Sequence, residues 1–364
     1  MIFRLIGLAL LLHGNACHAQ SPPSPLVARL DSFFHTLAKN QPGIALSIMK
    51  HGEIIYQNTA GIADPGTPLD STSNFRMASV SKQFTAMAIL LLEKDNRLHI
   101  DDPIGRWLPE LPPNIRRHVL IRHLLTHSSG IEDYETLIPD TQKTQVLDND
   151  VLNLLTRRDT TYFPPGTRFR YSNSGFCLLA LIVERASHQS YPAFIKDHIF
   201  GPLRMDHSAI YEKDKAIVHR AMGYAKDSTG AIIPSDQSVT SATKGDGGVY
   251  TSLADYRKWI IGLQQNRLIN LPATLKRLRF PINRESYYAA GWFITTGSPL
   301  TLYHSGSTCG FENQVIQIPG DEWSITFFSN FAGNNAPFRQ IARLLKDSGM
   351  SDLTPVSALE EETR

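Results

Sequence analysis

The chain has 364 residues, 42% hydrophobic and 19% charged, an ordinary globular balance that suits one large domain or two interlocked ones. A formal net charge of +2 with no dense Lys/Arg run argues against nucleic acid as a partner. No metal-ligand spacing such as HExxH or CxxC occurs.

Residues 1–20 read MIFRLIGLALLLHGNACHAQ, in which Arg4 precedes the apolar run Leu5–Leu12 and small residues follow as far as Ala19. This pattern predicts a secretory signal peptide over 1–19, cleaved near Ala19 or Gln20, and a mature protein that is periplasmic or secreted. The apolar run is well short of the ~20 residues that cross a bilayer, so no transmembrane span is expected. Past Cys17, Cys177 and Cys309 remain. Export permits a bridge between them, but two buried thiols are the simpler reading.

After an SPPSP linker, Leu26–Lys39 places Val27, Leu30, Phe33, Phe34 and Leu37 at helical period. GIALSIMK and EIIYQNTAG flank His51-Gly52 and predict a β-hairpin. From Ser79 to about Arg279 the apolar period is mostly helical, broken by Pro- and Gly-containing loops. Strand-like runs return at Tyr288–Thr295, Leu300–His304, Asn313–Ile318 and Trp323–Ser329, and Ala336–Asp347 predicts a last amphipathic helix. The tail, 351–364, is polar and acidic and expected to be loose. Strands at both ends with helices between them predict an α+β, two-lobed fold. One antiparallel sheet is built from both termini (about 25–75 and 285–349), and a mostly helical insertion (about 76–284) leaves a cleft between lobes.

Three stretches carry chemistry. In RMASVSKQF, Ser79 and Lys82 are three apart and share a helix face. A serine hydroxyl needs a base, and a buried amine whose charged form is disfavoured can be one, although Ser79 could equally be an N-cap. In PPGTRFRYSNSGF, Tyr171 and Asn173 can face the same way and offer a proton relay and a carbonyl-holding amide, or Tyr171 can simply pack on the core. In TLYHSGSTCGF, His304-Ser305-Gly306 ends a strand-like run, where glycine would let a ligand approach closely and His304 could be a half-buried strand histidine. A fourth stretch, GDGGVYTSLADYRKW, is read as a loop at the cleft rim. G-x-S-x-G, the mark of an α/β-hydrolase, is absent because residues 306–310 carry Thr308 at the centre.

In this order, Ser79-x-x-Lys82, Tyr171-x-Asn173 and His304-x-Gly306 resemble the signatures of the serine β-lactamase and penicillin-binding-protein superfamily. The Tyr-x-Asn form is similar to class C β-lactamases and the related DD-peptidases and esterases, and the resemblance spans about 25–345. It implies an acylated nucleophile at Ser79, a proton shared by Lys82, proton shuttling by Tyr171, and no metal or organic cofactor. It further implies that Asn173 holds the substrate amide, that His304, Ser305 and Gly306 line the carboxylate side, and that the backbone N–H groups of Ser79 and Ser307 form an oxyanion hole. His304 stands where most members carry lysine. A histidine that is partly charged at neutral pH would bind an anionic substrate less well as pH rises. The function expected is acyl-enzyme hydrolysis of an amide or ester, with a D-amino-acid cell-wall peptide (DD-carboxypeptidase-like) leading. The alternatives are a small ester, a β-lactam, or a non-catalytic peptidoglycan sensor. The partner is a small-molecule or peptide substrate, and the oligomeric state is left open.

Overall fold

The computed structural model describes residues 24–349 except Ser298 and Asp321, so the signal peptide expected over 1–19 and the loose tail expected over 351–364 lie outside the described residues. Helix α1 (Pro25–His35) starts at Ser24, whose hydroxyl accepts from Val27 N–H, with Pro25 at the first helical position where its missing N–H costs nothing. Strands β1 (Ile44–Lys50) and β2 (Glu53–Ala60) follow. They turn at His51 and Gly52, both at positive φ (52° and 78°), the backbone that a two-residue hairpin requires.

The remaining strands of the main sheet come from the other end of the chain. They are β3 (Phe280–Pro281), β4 (Ser286–Ala289), β5 (Trp292–Thr295), β6 (Thr301–Thr308), β7 (Phe311–Ile318) and β8 (Trp323–Ser329). The sheet order is β3-β4-β5-β6-β7-β8-β1-β2, antiparallel throughout. β1 pairs with β8 in the register Ile44↔Ser329 through Lys50↔Trp323, which joins the two ends of the chain as the α+β reading requires. Six of the seven residues in each of β1 and β8 are buried, so both faces of the sheet centre are covered. α1 and the last helix, Ala336–Asp347, pack together and are tied by Arg29–Asp347.

One sequence expectation changes. Tyr288–Thr295 is not a single strand but the hairpin β4–β5, turned at Ala290 (φ 48°) and Gly291 (φ 84°). The apolar run is continuous across the turn because the turn is itself buried. A Cβ on Gly291 would lie 2.6 Å from the Gln83 backbone, and that close approach hides the usual polar signal of a turn.

Between β2 and β3 lies the insertion, built around two helices, Lys82–Lys94 and Asn173–Ser187. Residues Lys82–Leu92 and Ser174–Val183 are buried on every face, which makes these two the hydrophobic centre of the lobe. The middle also holds short strands that the helical period did not disclose: Phe75–Arg76, Ala209–Ile210 and Val249–Thr251 form a small sheet of their own. Among the described residues no helix is long and apolar enough to cross a membrane. Cys177 and Cys309 are free thiols.

Candidate active site

The N-terminal ends of the two central helices meet beside β6. Ser79 lies in a single 3-10 turn, Ala78–Ser81, and the α-helix proper begins at Lys82. Ala78 has φ 49°, a left-handed backbone uncommon for a residue with a side chain, and it turns the chain into Ser79. Two bonds pin this turn to the strand Val249–Thr251: Met77 N–H donates to Val249 O (2.8 Å), and Val249 N–H donates to Ser81 Oγ (3.0 Å). Gly306 of β6 rests on the same turn. A Cβ there would stand 2.1 Å from Met77 O, so only glycine lets the strand ride this close to Ser79.

Lys82 is fully buried, and Nζ donates to Ser79 Oγ (3.0 Å), Asn173 Oδ1 (2.8 Å) and the Asp246 carbonyl (3.0 Å). Burial would by itself pull its pKa down. Tyr171 and Asp246 outweigh that, and the pKa stands above the usual lysine value. The resting lysine is therefore an ammonium with each proton on an acceptor, which corrects the expectation of an amine whose charged form is disfavoured. Its Nζ sits 5.0 Å from the Tyr171 ring centroid. Tyr171 Oη is buried and has no hydrogen-bond partner among the described residues.

Asn173 is held on three sides. Its N–H donates to Asp133 Oδ2 (2.5 Å), Oδ1 accepts from Lys82, and Nδ2 donates to Glu135 Oε1 (3.1 Å). Tyr134, between those two acids, donates from Oη to Asp246 Oδ2 (3.1 Å). Asp246 is in turn presented by a loop whose Lys244 and Gly245 N–H groups donate to the buried Asp148 carboxylate.

His304 corrects its sequence reading. It is 1% exposed, Nδ1 lies 2.6 Å from Ser305 O, and Nε2 lies 3.1 Å from Tyr288 Oη. A carbonyl only accepts, so Nδ1 carries the proton and Nε2 accepts from the tyrosine. Burial, with Lys82⁺ nearby, pushes its pKa down to about 3. His304 is thus a neutral ring and not a source of positive charge. Ser305 is half-buried and Ser307 exposed at the end of β6.

Sequence reasoning missed His127. Its ring stacks on Tyr171 (centroids 4.0 Å apart), Nδ1 accepts from Ser172 N–H (3.1 Å), and its carbonyl accepts from Arg170 N–H (2.8 Å). It therefore grips the chain on both sides of Tyr171. Burial holds its pKa well below the usual value. Nothing local to the stretch LIRHLLTHSSGI, residues 120–131, marks His127 as a partner of Tyr171. Asp133 and Glu135 carried no signal at all, and Asp246 lay in a stretch read only as a rim loop. A groove of about 860 Å³, lined by Phe169, Phe280 and Arg284 among others, reaches Tyr171.

The β-lactamase family model matches residues 30–349. Penicillin-binding protein 4* of Bacillus subtilis (strain 168) is 32% identical over 326 residues, covering 83% of this chain and 71% of that protein. The chain belongs to the β-lactamase family. Members of that family such as these are serine hydrolases, and this chain is an enzyme of that kind. Protein flp of Staphylococcus aureus (strain MW2) is 28% identical and covers 83% of this chain, which spans 62% of the length of that relative. Among solved structures, the penicillin binding protein from Bacillus halodurans superposes with a TM-score of 0.75 at 26% identity, covering 87% of this chain and 98% of that one.

Proposed function

We propose that the protein is an exported serine hydrolase that works through a covalent acyl-enzyme on an amide or ester, with a D-amino-acid-containing cell-wall peptide as the leading substrate. One observation carries this reading: Lys82 Nζ, Ser79 Oγ and Asn173 Oδ1 form one hydrogen-bonded unit with the Tyr171 ring over it. In this reading the Lys82–Tyr171 pair, having first given up one proton, takes the proton of Ser79 Oγ as that oxygen adds to the substrate carbonyl, and delivers it to the departing nitrogen or oxygen. Water then adds to the acyl carbon and gives a proton to the same pair, which returns it to Ser79 Oγ as the bond from Oγ to the acyl carbon breaks. The N–H groups of Ser79 and Ser307 receive the oxyanion, an arrangement worth about 3–4 kcal/mol of barrier per donor. Asn173 orients the acyl side of the substrate, and Ser305 and Gly306 line the opposite wall.

The penicillin-binding names of the relatives support a peptide or β-lactam substrate. Neutral His304 favours a second reading, a small ester or amide without a carboxylate. A substrate panel tests the choice. Full-length protein is incubated with a D-alanyl-D-alanine peptide, short p-nitrophenyl esters and a penicillin, and product release is followed. Release of D-alanine at a kcat/KM above that for the esters supports the leading reading. Ester turnover without D-alanine release replaces it with the second.

A further inference from the structure

The acyl-transfer roles leave Glu135 without a task. A single 3-10 turn, Tyr134–Thr136, sets it at the rim of the site, exposed, with Oε1 on Asn173 Nδ2 (3.1 Å). It is linked to Ser79 Oγ through just two side chains, Asn173 and Lys82. Asp133 and Asp246 add negative charge around it, and Lys82, the cation bonded within this group, is buried with all three Nζ protons on acceptors. On the other wall His304 has both ring nitrogens engaged inside the protein and offers no charge to a carboxylate. Arg168, Arg170 and Arg284 line the groove that ends at Tyr171, and none has a hydrogen bond to Ser79, Asn173 or Glu135 among the described residues. The rim of the site beside Asn173 therefore presents an exposed carboxylate that, among the described residues, no Lys, Arg or His side chain hydrogen-bonds or ion-pairs.

We propose that Glu135 is a specificity-determining residue that binds a protonated amine on the acyl side of the scissile bond. The site then takes amino-acid amides, esters or short peptides with a free α-ammonium, in preference to the same acyl group blocked at nitrogen. The acyl side follows from position, because Glu135 is bonded to the residue that orients that side. An ammonium at Glu135 Oε2 makes a charge-assisted hydrogen bond, and an acetylated nitrogen leaves the carboxylate facing a neutral amide. This inference rests on Ser79 being the acylated residue.

The test uses the full chain with D-phenylalanine methyl ester and N-acetyl-D-phenylalanine methyl ester, beside p-nitrophenyl acetate as a neutral acylating agent. The expected result is a kcat/KM at least tenfold higher for the free amine. That ratio should fall about tenfold in Glu135→Gln, chiefly through KM, and be partly kept in Glu135→Asp. An equal or reversed preference in the wild type, a ratio unchanged in Glu135→Gln, or no turnover of the free amine while p-nitrophenyl acetate still acylates Ser79 would each overturn the role of Glu135. Acylation by p-nitrophenyl acetate that persists in Ser79→Ala would instead overturn the acyl-enzyme reading beneath it.

Discussion

At the scale of single residues, the site is governed by which charges burial permits. Lys82 keeps its proton because Tyr171 and Asp246 face it, whereas His304 and His127 lose theirs because nothing of opposite charge offsets their burial. The loss of anionic-substrate activity across the histidine range that the sequence suggested is therefore not expected. With a pKa of about 3, His304 stays neutral from pH 5 to 8. The pH profile of kcat/KM in that window should be the same in wild type and His304→Gln, whose amide oxygen can still accept from Tyr288. A wild-type inflection that vanishes in the variant would restore the charged role. Lys82→Met should lower the acylation rate by roughly a thousandfold or more, because the proton of Ser79 then has no cationic partner to organise its transfer. A time course of adduct formation measures this, with thermal melting to confirm that the variant folds.

At the scale of elements, two buried helices and one strand end must converge within a few ångströms, and glycine makes this possible. Gly306→Ala would drive a methyl group to 2.1 Å from Met77 O, so either β6 or the Ala78–Ser81 turn must shift. The expected result is about 1–3 kcal/mol of lost stability, read by urea unfolding, together with a large loss of acylation. A variant with unchanged stability and activity would contradict the close approach. Much at this scale was legible in the sequence. The β1–β2 hairpin was marked by His51-Gly52, and Trp323–Ser329 and Ala336–Asp347 stand at the bounds the periodicity gave. The β4–β5 turn was not legible, because a turn packed against Gln83 keeps apolar neighbours and lacks polar punctuation. The short strands near Phe75, Ala209 and Val249 were hidden for another reason. Runs of two or three residues are too short to have a period, and only their partners in space define them. The Ser79, Lys82, Tyr171 and Asn173 cluster was readable as ordered motifs. Asp246, His127 and Glu135 were not, since each acts through a contact distant in sequence.

At the scale of the whole molecule, the sheet made from both chain ends holds an insertion whose hydrophobic centre is also the floor of the site, so stability and function share their titratable groups. A histidine that is neutral when folded and ordinary when unfolded binds fewer protons in the native state between its two pKa values. Stability is then full above the unfolded value near 6.5 and is lost as pH falls toward the folded value of about 3 for His304. The slope is up to about 1.4 kcal/mol per pH unit for one such group. Asp148, pushed up to about 7 by burial, has the opposite sign, since it binds its proton in the native state across the window from 3.8. The test is therefore a difference: melting temperature between pH 7 and 4 should fall less steeply in His304→Gln than in wild type. Parallel curves would mean that His304 is not buried as a neutral ring.

The central claim is that Ser79 becomes acylated, and intact-mass spectrometry tests it most directly. Full-length wild type and Ser79→Ala are mixed with a penicillin and with p-nitrophenyl acetate, sampled over time, and the adducts are located by peptide mapping. The expected result is an adduct on the peptide carrying Ser79 with at least one of the two reagents, absent in Ser79→Ala. An adduct elsewhere, or one that forms equally in Ser79→Ala, would contradict the account.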